Sequence, residues 1–309
     1  MLTSKDSMDI SILIPTYNGE STIKLTLQSL VALDTDGLEW EVLICNNNST
    51  DKTADIIESY KKLLPLRLFS ETKQGMSPSL NCLLSEAKGQ LITMTNDDVI
   101  LAPNWAKEFL KLANEKSDCD IFGGFILPYF LVDKPRWFND FLYKHVAFAM
   151  TPEKFTSQKV GPGSIFGPSM AIRRSALVHG TLFDEDIGPN GGDYVMGCES
   201  DFLSRLAAHG YECYLSNKIT LEHIIRPFQF DLLWIEKRAY RYGLSMYPKD
   251  LAKNFEDARS VLGIPLWRIN LFLQCWFKKR LGSKNDPVYA NYSWEIGFFK
   301  GYLRKRFNG

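Results

Sequence analysis

Two periods alternate along the first 115 residues. Short β-rich apolar runs fall at Asp9–Ile14, Trp40–Cys45, Leu66–Ser70 and Gln90–Thr95, the mark of strands covered on both faces. The segments between them have a helical pattern of apolar positions and predict helices over Ser21–Leu33, Thr53–Leu64, Pro78–Lys88 and Trp105–Asn114. Strand–helix alternation predicts an α/β fold with βαβ units on a mostly parallel, Rossmann-like central sheet. Thr50 or Asp51 is placed to cap the second helix. Ser77 is placed to cap the third, with Pro78 at its first helical position and Gly89 as its stop.

The regularity ends after a run at Asp120–Leu127. Residues 128–163 are rich in aromatics (Tyr129, Phe130, Trp137, Phe138, Phe141, Tyr143, Phe148, Phe155) and read as an insertion or flap. Such rings serve either as walls of a binding site or as an extra hydrophobic cap. Strands are expected at Ser169–Arg173, Glu212–Leu215 and Ile219–His223, and a helix at Glu199–Ala208. From Phe228 the chain reads as helical. The expected division is a catalytic domain over residues 1–227 and a helical, basic-aromatic extension over 228–309.

Composition narrows the classes. The 309 residues are 45% hydrophobic with zero net charge, which suits a large core and argues against general nucleic-acid binding. The charge is uneven: Arg268–Gly309 holds nine Lys/Arg and two Asp/Glu, a local balance of +7. There, apolar Ile264–Phe277 is broken by Arg268 and Asn270 and followed by Lys278-Lys279-Arg280. Phe298, Phe299, Tyr302 and Phe307 are interleaved with Lys300, Arg304, Lys305 and Arg306. This tail predicts contact with an anionic membrane surface, or else a helix packed on the catalytic domain or on a second copy. The six cysteines form no C-x-x-C pair, so neither zinc nor a disulfide framework is expected. The polar start at Met1–Asp9 and the lack of an apolar run of about 18 residues predict a cytoplasmic protein, peripheral at most on the inner face of a membrane.

Three strand-end segments carry the chemistry: Pro15-Thr16-Tyr17-Asn18, Asn46–Asp51 and Asn96-Asp97-Asp98. In open α/β sheets such loops gather at the carboxyl edge, where ligands bind. Asp97 and Asp98 suit Mg²⁺ or Mn²⁺ held against a diphosphate, or equally a capped turn. Asn46 and Asn47 can read a base edge or ribose hydroxyls, or simply make a polar turn. Tyr17 can border a base. With Gly19 alone, the first loop is not the dinucleotide fingerprint, which counts against a nicotinamide or flavin enzyme. Glu199, opening a helix after Gly188, Gly191, Gly192 and Gly197, reads as a general base behind a mobile approach loop, or as an acid stabilised by the helix dipole. His223 ends an apolar strand, either as a structural residue or as a further metal ligand, and Arg226 beside it could meet a phosphate.

Taken in order, these segments resemble the family 2 glycosyltransferases, of the GT-A fold, over roughly residues 9–245. The family's P-T-Y-N opening matches Ile10–Asn18, its D-N-N-S-T-D loop Asn46–Asp51, and its G-x-x-x-x-x-N segment Gly75–Asn81. Its D-x-D loop falls on Asn96–Asp98 and the continuation on Val99–Trp105. A small-residue strand ending in R-R matches Gly167–Arg174, the G-E-D-x-D-L-x-x-R-L helix Gly197–Leu206, and a late His, W and R-x-x-x-x-G match His223, Trp234, Arg238 and Gly243.

The resemblance implies an inverting, metal-dependent transferase that uses a nucleotide-sugar donor and a glycan or lipid-linked acceptor, in cell-surface polysaccharide synthesis. It implies donor contacts from Pro15, Thr16, Tyr17, Asn46, Asn47, Asn96 and Asp97, metal ligation by Asp98 with Asp97 and His223, and Glu199 as base. Three positions depart from the pattern: Asn96 stands for the first acid, Asn46 or Asn47 for the base-reading acid, and Cys198 for the acid before Glu199. A sugar nucleotidyltransferase would need a basic, glycine-rich triphosphate loop, and Thr16–Glu20 has no basic residue. A non-catalytic sugar-binding protein of the same fold is the other alternative.

Overall fold

The computed structural model describes residues 8–252, 259–283 and 286–308. Strands β1 (Ile10–Thr16), β2 (Trp40–Asn46), β3 (Leu66–Ser70) and β4 (Leu91–Met94) pair in parallel in the order β3-β2-β1-β4. Helices α1 (Ile23–Val31), α2 (Thr53–Ser59) and α3 (Met76–Glu86) link them. From β4 the sheet continues through β8 (Met170–Arg173) and β6 (Ile121–Phe130), each antiparallel to the strand before it, to β9 (Cys213–Ile225), which runs beside β6 in the same direction, with Ile121 N donating to Glu212 O and Leu131 N to Ile225 O; β5 (Val99–Leu101) and β7 (Gln158–Val160) pair antiparallel with β9. Helices α4 (Trp105–Glu115) and α6 (Cys198–Ala208) complete the layers, and α5 (Lys144–Ala147) is a single turn. This is the expected α/β architecture.

Alternation along β1 divides its core contacts. Ile10, Ile12 and Ile14 join Leu27, Trp105 and Phe109 in one buried cluster. Leu13 joins Leu80, Leu83, Ile92, Phe202 and Leu206 in another. Successive strand residues point to opposite faces, so α1 and α4 cover one side of the sheet and α3 and α6 the other.

Helix boundaries differ from expectation for local reasons. The third helix starts at Met76, not Pro78, with Gly75 at its N-cap at φ 151°. Pro78 then sits at the third helical position, where a missing N–H is still harmless. The second helix stops at Ser59, and the chain tightens through turns in which Leu63 N and Leu64 N donate to Tyr60 O. The N-cap of that helix is Lys52, neither Thr50 nor Asp51, but Asp51, one residue earlier, accepts from the first helical N–H, Thr53 N, at 3.0 Å. The two short strands expected over 212–223 are one strand, β9.

The described chain forms two compact units. The first comprises the stretch ending at Tyr129 with Ala149–Gly191 and Cys198–Ile224. The second comprises Phe130–Phe148, Gly192–Gly197 and the chain from Ile225 onward. In the second unit, α7 (Leu232–Ala252) and α9 (Tyr289–Asn308) run side by side in the same direction, since Gly297 abuts Glu236 and Gly301 abuts Tyr240. A Cβ on Gly301 would collide with the Tyr240 carbonyl, so the helices meet backbone to backbone. A small hairpin, β10 (Ser260–Val261) with β11 (Ile264–Pro265), leads into α8 (Leu266–Leu281).

The aromatic segment is mostly interior. Trp137, Phe138, Phe141 and Phe148 are buried and pack on one another, on Phe230 and on Trp294. Of the alternatives read from the sequence, the hydrophobic cap describes these rings. The tail is divided: in α9, Phe298, Phe299 and Tyr302 are buried, with Arg268 stacked 4.7 Å from the centroids of both Phe298 and Tyr302, whereas most of α8 is exposed. All six cysteines are free thiols. No helix among the described residues is long and apolar enough to cross a membrane.

Candidate active site

In the parallel half, β1 lies between β2 and β4, so the chain reverses its direction of travel across the sheet between β1 and β4. The carboxyl ends of strands at such a switch point border a crevice. Thr16, the last residue of β1, donates its hydroxyl to Asp97 Oδ2 just past β4, bridging the two strand ends. Pro15 lies inside β1, paired with Cys45 of β2. Tyr17, next along, is 46% exposed.

The loops after β1, β2 and β3 are knitted together. Asn18 adopts φ 50°, accepts from Thr50 N at 2.9 Å and donates its backbone N–H to Ser49 Oγ at 2.9 Å. Asn46 Oδ1 accepts from Ser49 N at 3.1 Å. Asn47 is buried, and its amide is engaged on every side. Nδ2 donates to the carbonyls of Glu71 and Lys73, both at 2.8 Å, while Oδ1 accepts from Gly75 N at 2.6 Å and Gln74 Nε2 at 3.0 Å. A carboxylate here could not donate to those two carbonyls, which gives a physical reason for Asn at this position.

Asp98 and His223 meet through strand register. Antiparallel β5 and β9 pair Val99 with His223, and Ile224 N donates to Asp98 O at 2.8 Å. His223 Nε2 then lies 3.5 Å from Asp98 Oδ2, both side chains about nine-tenths buried. Asn96 Oδ1 is buried without a protein hydrogen-bond partner. Among the described residues, no three His, Cys, Asp or Glu side chains gather into a cage able to hold a cation. What the edge offers is a partial donor set, the Asp98–His223 pair beside the Asn96 amide oxygen, of the kind that fits a hard cation only where phosphate oxygens complete the shell.

Glu199 opens α6 and lies over Gly167, just ahead of β8. A Cβ on Gly167 would come within 3 Å of the Glu199 carboxyl carbon and of Oε1. Met94 of β4 pairs with Met170 of β8, so Gly167 belongs to the same edge of the sheet as Asn96–Asp98. Cys198 Sγ donates to Glu199 Oε2 at 3.2 Å. Burial, with the Glu199 charge adding to it, holds the Cys198 thiol well above its ordinary pKa, so it stays a protonated donor.

The approach loop is anchored at its start. Asn81 accepts from Phe183 N at 2.8 Å and donates to Phe183 O at 3.0 Å; Ser77 Oγ donates to Ile187 O at 2.6 Å, and Met76 N to Pro189 O at 2.8 Å. Phe183 stacks on Phe202 of α6 at 4.1 Å between centroids. The sequence pointed to glycines here but not to this docking; Asn81, facing a backbone segment a hundred residues later in the chain, was the available signal. Arg226, in the second unit, lies over the Phe228 ring at 5.1 Å. Gly167 also went unmarked, since nothing in the sequence tells a glycine under a carboxylate from one in a turn.

The profile of glycosyl transferase family 2 matches residues 11–180, more than half of the sequence. The chain belongs to glycosyl transferase family 2. It is 21% identical over 248 residues to the glucosyl-dolichyl phosphate glucuronosyltransferase of Haloferax volcanii, covering 79% of this chain and 78% of that one. It is 34% identical over 93 residues to TarS of Staphylococcus aureus, a poly(ribitol-phosphate) β-N-acetylglucosaminyltransferase. The chain spans 31% of the length of EpsH of Bacillus subtilis and 16% of TarS. Among solved structures, the mannosyltransferase PcManGT of Pyrobaculum calidifontis, in complex with GDP-mannose and Mn²⁺, superposes with a TM-score of 0.64 at 16% identity, over 98% of this chain and 88% of that one. A TarS fragment bound to UDP-GlcNAc gives 0.56 at 17% identity, over 97% and 92%. These likenesses show the GT-A fold.

Proposed function

We propose that this glycosyltransferase domain moves a sugar, with inversion, from a nucleoside-diphosphate sugar to a hydroxyl of a glycan or lipid-linked acceptor. The observation that carries the reading is the sheet edge itself, where Thr16 holds Asp97, and Asp98 faces His223. Tyr17 borders the base and the Asn46–Asp51 loop lines its pocket. Asn47 acts by shaping that loop, because its own amide is spent on Glu71, Lys73, Gln74 and Gly75. Asp98 and His223 would hold Mg²⁺ or Mn²⁺, with Asn96 and Asp97 beside them. A bound divalent cation supplies charge neutralisation for a departing diphosphate.

Glu199 takes the proton of the acceptor hydroxyl as that oxygen bonds to the anomeric carbon. The bond from that carbon to the diphosphate oxygen breaks, and its electron pair leaves on the diphosphate. Attack opposite the leaving group inverts the centre. A general base contributes about 10²–10⁴-fold. The test is a donor screen across uridine, thymidine and guanosine diphosphate sugars with Mn²⁺ or Mg²⁺, read as nucleoside diphosphate release. Metal-dependent release abolished by Asp98→Ala supports the reading. Release from no donor with any acceptor leaves a sugar-binding protein instead.

The membrane contact expected of the tail is assigned to α8. It has no acidic residue, and Trp267, Leu273, Trp276, Phe277 and Leu281 are exposed along it, with exposed Lys278 and Arg280 alongside. Apolar side chains with neighbouring cations suit an anionic lipid surface. Co-flotation of the full chain with anionic but not zwitterionic vesicles, lost in Trp276→Ser with Phe277→Ser, supports it. No flotation, or a concentration-dependent dimer broken by the same changes, overturns it.

A further inference from the structure

We infer that Cys198 is a positioning residue that fixes which oxygen of Glu199 receives the acceptor proton. The inference rests on the reading of Glu199 as the base. Cys198 Sγ–H donates to Oε2 at 3.2 Å from the neighbouring position at the opening of α6. The thiol is itself walled in: a Cβ on Gly188, at φ 110°, would stand 2.9 Å from Sγ. On its other side the carboxylate lies against Gly167: a Cβ there would collide with Oε1 and stand 2.6 Å from Cγ and 2.8 Å from the carboxyl carbon. With a donor fixed on Oε2 and a bare backbone as floor, rotation about the last side-chain bond is restrained. Oε1, which lies over the bare Gly167 backbone and lacks the thiol donor, is then the oxygen that takes the proton.

A thiol suits this task where a second carboxylate would not. An ionised acid at 198 would repel Glu199, whereas the buried, protonated thiol donates to it. Holding a base within narrow angular limits is worth orders of magnitude in rate. Its loss is expected to fall on turnover rather than on donor affinity, because the thiol donates to Glu199 itself, while the donor is assigned to the strand-end loops after β1, β2 and β4.

Two measurements test the inference. The S–H infrared stretch of Cys198, identified by its loss in Cys198→Ala, is expected at lower frequency than those of the other cysteines. It should move up in Glu199→Gln, where a weaker acceptor replaces the carboxylate. A band at the position of the other thiols, unmoved by Glu199→Gln, overturns the inference without any donor being known. In turnover, Cys198→Ala is expected to lower kcat about tenfold, the loss of roughly one hydrogen bond to a charged group, with donor KM within about twofold. Cys198→Ser, which keeps a donor, restores most of it and serves as the test if the alanine variant does not fold. An inactive Glu199→Gln beside a Cys198→Ala of undiminished kcat removes this inference alone. A Glu199→Gln of wild-type turnover removes the base reading and this inference with it.

Discussion

The hydroxyl of Thr16 and the carboxylate of Asp97 are joined by a hydrogen bond between the end of β1 and the loop after β4, the two strand ends that flank the switch point. It fixes the direction in which one of the two adjacent acids points, and so separates them: Asp97 is tied to the end of β1, Asp98 faces His223. Thr16→Val keeps the shape and removes the donor. Outer partners of metal-site ligands typically control affinity or activity by about 10–100-fold. A loss of that size in kcat/KM, with an unchanged melting temperature, is the expected result, measured by nucleoside diphosphate release.

Asn47 makes a prediction about stability. Its amide ties the second and third loops by four hydrogen bonds. Asn47→Ala leaves a buried N–H and two carbonyls without partners, and about 2–4 kcal/mol of unfolding free energy should go with them. Asn47→Asp should fare no better, because it turns two donations into repulsions. Chemical denaturation of both variants checks this.

Gly167→Ala is a stringent probe of Glu199. The added methyl would collide with the carboxylate group, so the side chain must swing away. We expect kcat to fall by about tenfold or more from misplacement of the base, while donor affinity, measured by calorimetry, stays put.

In the second unit, Tyr143 donates to Glu295, which is largely buried. Burial raises the Glu295 carboxyl above its ordinary 4.5, against the Tyr143 hydrogen bond and the Arg268 charge, which act the other way. A carboxyl raised on folding is most stable protonated. Its contribution is full below pH 4.5 and is lost as pH rises through the folded value. Glu295→Gln keeps an acceptor for Tyr143 and sheds the buried charge. Its melting temperature should exceed the parent's at pH 7–8, and the gain should vanish below about pH 4.5.

Gly301→Val pushes a branched side chain into the Tyr240 carbonyl. Overpacking of this kind costs about 1–3 kcal/mol or more, and the loss should show in thermal unfolding.

The parallel half was legible because its strands are long apolar runs and its helices are periodic. What escaped the pattern was short or set by pairing. β5 has three residues, too few to show a period, yet its register brings Asp98 to His223. β9 was split in two because Asn217 and Lys218 interrupt the apolar run. They are exposed residues within a continuous strand that pairs with β7 on one stretch and β5 on another. Thr16, Tyr17 and Asp98 could be picked out as candidates by type and position. Asn47 could not be understood that way, since an amide satisfied by its own backbone and one kept for a ligand have the same letter. The rings at 137–148 were ambiguous for the same reason, and burial decides them.

The pairing of β5 with β9 has a consequence in time. One partner of the Asp98–His223 pair is made early and the other late, and a strand of three residues has little to hold it until β9 arrives. Synthesis at about 5–20 residues per second leaves the emerging chain for several seconds with the loops after β1, β2 and β3 complete and its acidic loop without the imidazole. The half of the site formed by sequence-local βαβ units can fold early, whereas the half facing His223 waits for a long-range pairing, the slow class of contact in folding. A chain interrupted before His223 would keep the first three loops but lack the imidazole side of the acidic edge.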